Sequence, residues 1–247
     1  MLKVKVERIH VEVGKNKIPA KIYREMRNNV RFSIAQKGAI MRMPLLMLPG
    51  EQKKHVAQFK SWVKKQIEAQ EKLQTHFTPK NYQTGDLLKV GNREYRIILE
   101  LTNNKSHSAK LENGDIKLRL NGNDSEIHRN KAVKHLLSRV VAQDFLPKIY
   151  QRVVDLNQLY FQRPFKSVNL KYNLTNWGSC SRQGNINLST RLLFAPADVV
   201  DYVIVHELAH LVEMNHSDRF WMLVEKAIPD YRQKEGWLKK NWPACDF

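Results

Sequence analysis

The residues best able to do chemistry stand together in the last fifth of the chain, in the run His206-Glu207-Leu208-Ala209-His210. Four residues advance an α-helix by about 400°, so the two imidazoles project from one helix face, one turn apart. That spacing places two nitrogens where a single Zn²⁺ can bind both. Glu207 can reach a metal-bound water, for which it would serve as general base. The run therefore predicts a zinc-dependent hydrolytic site.

A third metal ligand is needed, and spacing favours His216. It follows His210 by six residues, the offset of the third histidine in the pattern H-E-x-x-H-x-x-G-x-x-H. Glu213 stands at the glycine position of that pattern, so the chain must leave the helix by another route. A left-handed Asn215 and a helix cap at Ser217 could supply the turn. Two glutamates further along are the alternative third ligands, Glu225 and Glu235.

The element that carries this run is predicted to be a central helix. Pro196 marks its start, where a missing N–H costs nothing. Apolar residues cover much of its circumference, so two histidines and a glutamate would be expensive to bury there without a function. A last helix is predicted to begin at the N-cap Ser217. The apolar positions of the central helix are Val199, Val200, Val203, Ile204, Leu208, Leu211 and Val212.

A second segment of interest precedes the central helix, in a predicted hairpin over residues 174–190 that turns at Arg182-Gln183-Gly184. Glycine and small residues in a strand allow another backbone to approach closely. Such a strand beside a zinc site could bind an extended peptide by strand addition. Ordinary packing is the alternative, with an aromatic core residue, a bulge glycine and a small buried cysteine. The candidate substrate-binding residues are Trp177, Gly178, Ser179 and Cys180.

These segments resemble the YgjP-like zinc metallopeptidases, which are related to the SprT-like and WLM groups. The resemblance is specific over roughly residues 130–240 and looser before them. One departure is Asn176, where relatives usually have arginine. SprT-like relatives often end in a cysteine zinc ribbon, which this sequence cannot form because it has only Cys245 near its end. The residues that carry the resemblance are Trp177–Ser181, Asn185–Leu188, Leu192, Ala195-Pro196, Asp201–His210, His216-Ser217, Phe220-Trp221, Pro229–Arg232 and Trp237-Leu238.

The resemblance implies a zincin-like catalytic domain with Zn²⁺ as cofactor. His206, His210 and His216 would be the metal ligands, and Glu207 the catalytic base. A metalloendopeptidase acting on protein or peptide substrates is the first hypothesis. A metal-dependent phosphohydrolase acting on nucleotides is the second, although the sequence has no glycine-rich phosphate loop and no cluster of carboxylates for a second metal. A nucleic-acid-binding module with a structural zinc is the third, against which Glu207 argues.

The first half of the chain is predicted to be rich in β-structure. Period-two alternation indicates four short strands in a meander before residue 44, and a basic amphipathic helix follows at about 51–73. A second β-rich stretch contains the hairpin turn Asn113-Gly114. From about residue 130 the spacing is helical, with Pro147 expected to kink that helix or to begin another. No internal repeat stands out. We predict an α+β protein with a β-rich region at 1–128 and the zincin-like domain at 129–247.

Charge is distributed unevenly along the 247 residues. The total is +18, but residues 196–247 contain six basic and nine acidic side chains. The excess therefore lies in the first 195 residues and favours a nucleic acid or an acidic protein as partner, with a solvated basic surface as the alternative. The sequence lacks long apolar runs and a signal peptide, and Cys180 and Cys245 cannot form a disulfide framework. We expect a cytoplasmic protein without membrane association.

Overall fold

The computed structural model describes residues 4–78 and 80–247. The chain divides after residue 79 into two compact units. The boundary predicted at 128/129 falls inside the second unit, because residues on both sides of it share one hydrophobic core. The whole is a mixture of α-helices and β-sheets, as the sequence predicts. No helix within the described ranges is both long and apolar enough to cross a membrane.

The N-terminal unit is a four-stranded sheet followed by two helices. The strands are β1 (Lys5–Val13), β2 (Asn16–Glu25), β3 (Arg31–Ala35) and β4 (Gly38–Pro44). The predicted meander is wrong, since the strand order is β1-β2-β4-β3 and β2 pairs parallel to β4. Burial explains the order: four of the seven β4 residues are buried, whereas β3 has none and takes the edge.

The predicted helix at 51–73 consists of two helices, α1 (Pro49–Glu68) and α2 (Glu71–Phe77). Phe59, Val63 and Ile67 form the buried face of α1. Five lysines of α1 are exposed. They are Lys53, Lys54, Lys60, Lys64 and Lys65.

The second unit begins by repeating the same topology. Its strands β5 (Leu87–Val90), β6 (Arg93–Thr102), β7 (Ser108–Glu112) and β8 (Asp115–Asn121) have the order β5-β6-β8-β7. Again the second and fourth strands pair in parallel, and a helix follows. This ββββα duplication escaped the sequence prediction because it depends on strand order and direction and not on similar residues.

Helix α3 (Glu126–Tyr160) is a single helix of 35 residues that contains Pro147. The sequence allowed a second helix to begin at this proline, and none does. Pro147 and Gln143, the residue one turn before it, are both exposed, so water can bond the Gln143 carbonyl that loses its N–H partner. The buried face, which includes Phe145 and Ile149, continues across the proline and keeps the helix in one piece.

A three-stranded sheet and three helices complete the second unit. Strands β9 (Ser167–Lys171), β10 (Gly178–Cys180) and β11 (Asn185–Ser189) have the order β10-β11-β9, so β10 is an edge strand. The predicted hairpin of residues 174–190 is present as the antiparallel pair β10–β11. Helices α4 (Ala197–Ala209), α5 (Asp218–Ala227) and α6 (Tyr231–Asn241) follow. Helix α4 packs against both β10 and β11, which places its histidines beside the edge strand.

Candidate metal centre

Three histidines converge at the end of α4. His206 lies in its last turn, His210 caps it, and His216 comes from the loop that follows. Their ring nitrogens lie within 4.8 Å of one another, and the Nε2 atoms of His206 and His216 are 3.0 Å apart. Two nitrogens bound to one tetrahedral Zn²⁺ are roughly 3.3 Å apart, so these rings are spaced as ligands of one ion.

The alternative third ligands lie elsewhere. Neither Glu225 nor Glu235 belongs to the three-histidine group, and Glu235 forms an ion pair with Lys239 at 2.6 Å. Among the described residues this group is the one cluster of three or more potential ligands, which makes His216 the third ligand that the geometry favours.

The chain leaves α4 through a tight last helical turn and not through the left-handed turn that the sequence predicts. The amides of Leu211 and Val212 bond carbonyls three residues back, which closes the last turn. Asn215 is not among the non-glycine residues with positive φ, so the left-handed turn proposed there is wrong. The helix cap at Ser217 is present, with its hydroxyl accepting a hydrogen bond from the Phe220 amide. Because no residue of this exit needs a positive φ, Glu213 can stand where a glycine was expected.

Aromatic side chains of α5 hold the three imidazoles. Phe220 is fully buried, and its ring centroid lies 4.6–4.9 Å from those of His206, His210 and His216. The Trp221 ring stacks on His216, which is otherwise a solvent-exposed loop residue. Tyr231 stacks in turn on Trp221 at 5.3 Å. This stack holds the His216 ring in position, although the residue lies in a loop.

The chemistry of the donor set fits a zinc ion. The Nδ1 of His210 lies 3.1 Å from the Glu213 carbonyl, to which its N–H donates, so Nε2 keeps a lone pair. Burial, aided by His210 and His216, lowers the pKa of His206 to about 3, and burial also lowers the pKa of His210. Neutral imidazoles are the form that binds Zn²⁺.

Glu207 lies on the same turn of α4 and is directed at the edge strand β10. A Cβ atom added to Gly178 would lie 2.4 Å from its Oε1, so the carboxylate rests against the bare backbone of that glycine. Its Oε2 is buried and has no hydrogen-bond partner in the described parts of the chain. Burial raises the pKa of the Glu207 carboxyl to about 8.

The other candidate substrate-binding residues have different surroundings. Ser179 is exposed on β10, next to Asn187 on β11. Cys180 is half-buried, and burial together with the nearby Glu207 raises its thiol pKa to about 11, which makes it a poor nucleophile. Trp177 packs against the hydrophobic core, with the Arg191 guanidinium 5.2 Å from its ring centroid. The ring is therefore part of the support of β10.

Arg191 is a buried residue, 1% exposed, that no sequence pattern singled out. Its guanidinium donates hydrogen bonds to the carbonyls of Cys245 and Trp242. It thereby connects Trp177, the residue before β10, to the last residues of the chain. A lone arginine in an apolar stretch gave no signal for this role, because its acceptors are backbone carbonyls more than fifty positions away.

Replacing Trp221 by alanine should weaken zinc binding roughly 10- to 100-fold, because His216 then loses the ring that holds it in position. Zinc affinity is measured by competition with a chromogenic chelator. The matched control is Met222→Ala on the same helix, where the side chain is 68% exposed. Equal affinities for the two variants would contradict the positioning role of Trp221.

Comparison with known proteins identifies a family through one profile match. A family profile described as "YgjP-like, metallopeptidase domain" matches residues 28–241. No curated protein matches this chain. The solved metallopeptidase zymogen abylysin of Pyrococcus abyssi is similar with 26% identity over 37% of this chain and 93% of its own, at a TM-score of 0.34. Jannalysin of Methanocaldococcus jannaschii, also a solved metallopeptidase zymogen, is 16% identical over 38% of this chain and 96% of its own, at a TM-score of 0.35.

Proposed function

The chain belongs to the YgjP-like metallopeptidase family, and from this membership we propose that it is a zinc-dependent endopeptidase with a zincin-like catalytic centre. The observation that carries the proposal is the convergence of His206, His210 and His216 within 4.8 Å, on the helix that also presents Glu207. A structural zinc site has no use for a buried carboxylate of this kind beside its ligands, which argues against a purely structural zinc.

We propose His206, His210 and His216 as the ligands of the ion. When bound, Zn²⁺ acts as a Lewis acid and makes water acidic enough to react at neutral pH. Side chains of the protein would carry out the proton transfers. Oε2 of Glu207 would take a proton from the attacking water, because this oxygen is not engaged by any described residue. The same oxygen would then deliver that proton to the leaving amine.

We propose that the substrate peptide binds along β10. As an edge strand, β10 has a side away from β11 that no other described strand covers, where the Asn176 side chain donates a hydrogen bond to the Gly178 carbonyl at 2.9 Å. An extended peptide could pair with this side in the manner of strand addition. Gly178 would then set the distance between peptide and Glu207, since its missing side chain is what lets the carboxylate approach β10.

The experiment that tests this function compares reaction products and metal dependence. Purified protein should release new amino termini from unstructured polypeptides, and no phosphate from nucleoside triphosphates. Treatment with a chelator should abolish cleavage, and stoichiometric Zn²⁺ should restore it. Release of phosphate alone would favour the phosphohydrolase alternative, and cleavage that persists without metal would exclude a zinc mechanism. Binding of nucleic acid or an acidic protein by the basic N-terminal region remains a separate prediction, testable by its salt dependence.

A further inference from the structure

A cavity of about 680 Å³ borders the candidate metal centre on the side of His210. Three segments form its walls. They are residues 163–166 between α3 and β9, the β10–β11 turn at residues 181–184, and the loop that runs from His210 toward His216. A peptide lying along β10 would pass this cavity, because the turn that forms its wall directly continues the strand.

The charge of the cavity is entirely positive. Arg163, Lys166 and Arg182 line it, and no carboxylate of the described residues does. None of these three side chains forms an ion pair or a hydrogen bond within the described ranges of the chain, although the molecule places many other arginines and lysines opposite acidic residues. Cations gathered without a counter-charge raise the local concentration of an anion and would pair with one that binds.

The backbone that presents these side chains is fixed in place. The Asn157 side chain both donates to the Arg163 carbonyl, at 2.8 Å, and accepts from the Arg163 amide, at 3.2 Å. The Lys166 amide donates to the carbonyl of Gly184, whose φ of +77° suits glycine. A Cβ on Gly184 would lie 3.2 Å from the backbone of Phe165, so the two walls meet closely. A preformed wall lowers the ordering cost of binding.

We infer that this cavity is a specificity subsite for an acidic side chain, aspartate or glutamate, of the substrate peptide close to the cleaved bond. The inference rests on the proposed peptidase function and adds the substrate class. The positive cavity lies beside His210, one of the proposed metal ligands; its cations have no partner among the described residues, and its walls are preformed. A carboxylate within a few residues of the cleaved bond would reach it, and an Arg or Lys there would be repelled.

The test begins with a mixture of randomised decapeptides whose cleavage sites are read by mass spectrometry. Asp and Glu should be enriched at one position beside the cleaved bond. For matched peptides with Glu, Gln or Lys at that position, kcat/KM should fall roughly tenfold from Glu to Gln, since the Gln amide has no negative charge to pair with the cations. Raising the ionic strength should shrink this preference, because the cavity is open to solvent.

Charge reversal supplies the sharper measurement. Arg182→Glu and Lys166→Glu, both at exposed side chains, should move the preference toward Lys and Arg. Lys226→Glu, an equal charge change at an exposed site on α5, is the control and should keep the acidic preference. Binding is measured separately by fluorescence anisotropy, with labelled Glu and Gln peptides as ligands. The protein in this titration is the Glu207→Gln variant, which should not cleave the peptides.

The outcomes separate the two proposals. Cleavage by the wild type without acidic enrichment, or an unchanged preference in Arg182→Glu, would overturn the subsite and leave the peptidase function intact. Failure to cut any peptide, with phosphate released from nucleoside triphosphates, would overturn both and assign the cavity to phosphate groups.

Discussion

Replacing Glu207 by glutamine should lower peptide hydrolysis by about 10³-fold, because the amide cannot accept a proton from water. Zinc content should stay near that of the wild type. The three histidines are held by Phe220, Trp221 and the Glu213 carbonyl, and none of these contacts involves the Glu207 carboxylate. Initial rates on a fluorogenic peptide and metal content by atomic absorption measure the two quantities.

The control for this variant is Glu225→Gln. Glu225 is exposed on α5 and is one of the two glutamates that the sequence left open as third ligand. Its replacement should change neither the rate nor the zinc content. A Glu207→Gln protein that retains zinc and still hydrolyses peptides at the wild-type rate would refute the role of Glu207 as base. Loss of zinc in Glu225→Gln would refute His216 as the third ligand.

The second large effect is expected at Gly178. In Gly178→Ala the new methyl group would lie 2.4 Å from Oε1 and 2.7 Å from Cγ of Glu207, so the carboxylate or the strand must move. Misplacing a catalytic group by about 1 Å can cost 10²-fold in rate, and overpacking typically costs 1–3 kcal/mol of stability. We therefore expect both a loss of kcat of about 10²-fold and a lower midpoint of urea unfolding.

A double-mutant cycle identifies the cause. In a Glu207→Ala background the clashing atoms are gone, so Gly178→Ala should cost little or no stability there. Gly236→Ala, on α6 where an added Cβ meets nothing within 4 Å, is the control and should stabilise the protein by about 0.5–1 kcal/mol. An equal loss of stability from Gly178→Ala in both backgrounds would contradict the clash with Glu207. It would show that the backbone of β10 requires glycine for another reason.

Much of the site could be predicted from the sequence because its geometry is local. The spacing of His206 and His210 puts both rings on one face of any helix that contains them, whatever surrounds it. Turn chemistry is equally local. Asn113 and Gly114 adopt positive φ, and Ser217 caps α5, as their residue types indicate. Alternation of apolar residues likewise located most of the strands.

Strand order and direction could not be predicted in the same way. The four N-terminal strands were expected as a meander, but β4 lies between β2 and β3 because its residues are the more deeply buried. Which strand is central depends on the helix that covers the sheet and not on the alternation within a strand. The ββββα duplication was missed for the same reason.

The sequence by itself determined the candidate site of this protein: two histidines one helical turn apart, a glutamate between them and a third histidine within loop reach. Only the tertiary structure decided what surrounds that site. It placed Gly178 against Glu207, Trp221 on His216, and beside His210 three cations with which no described residue pairs. Helical periodicity fixes neighbours three or four residues apart, whereas these contacts join segments whose approach is set by how sheets and helices pack.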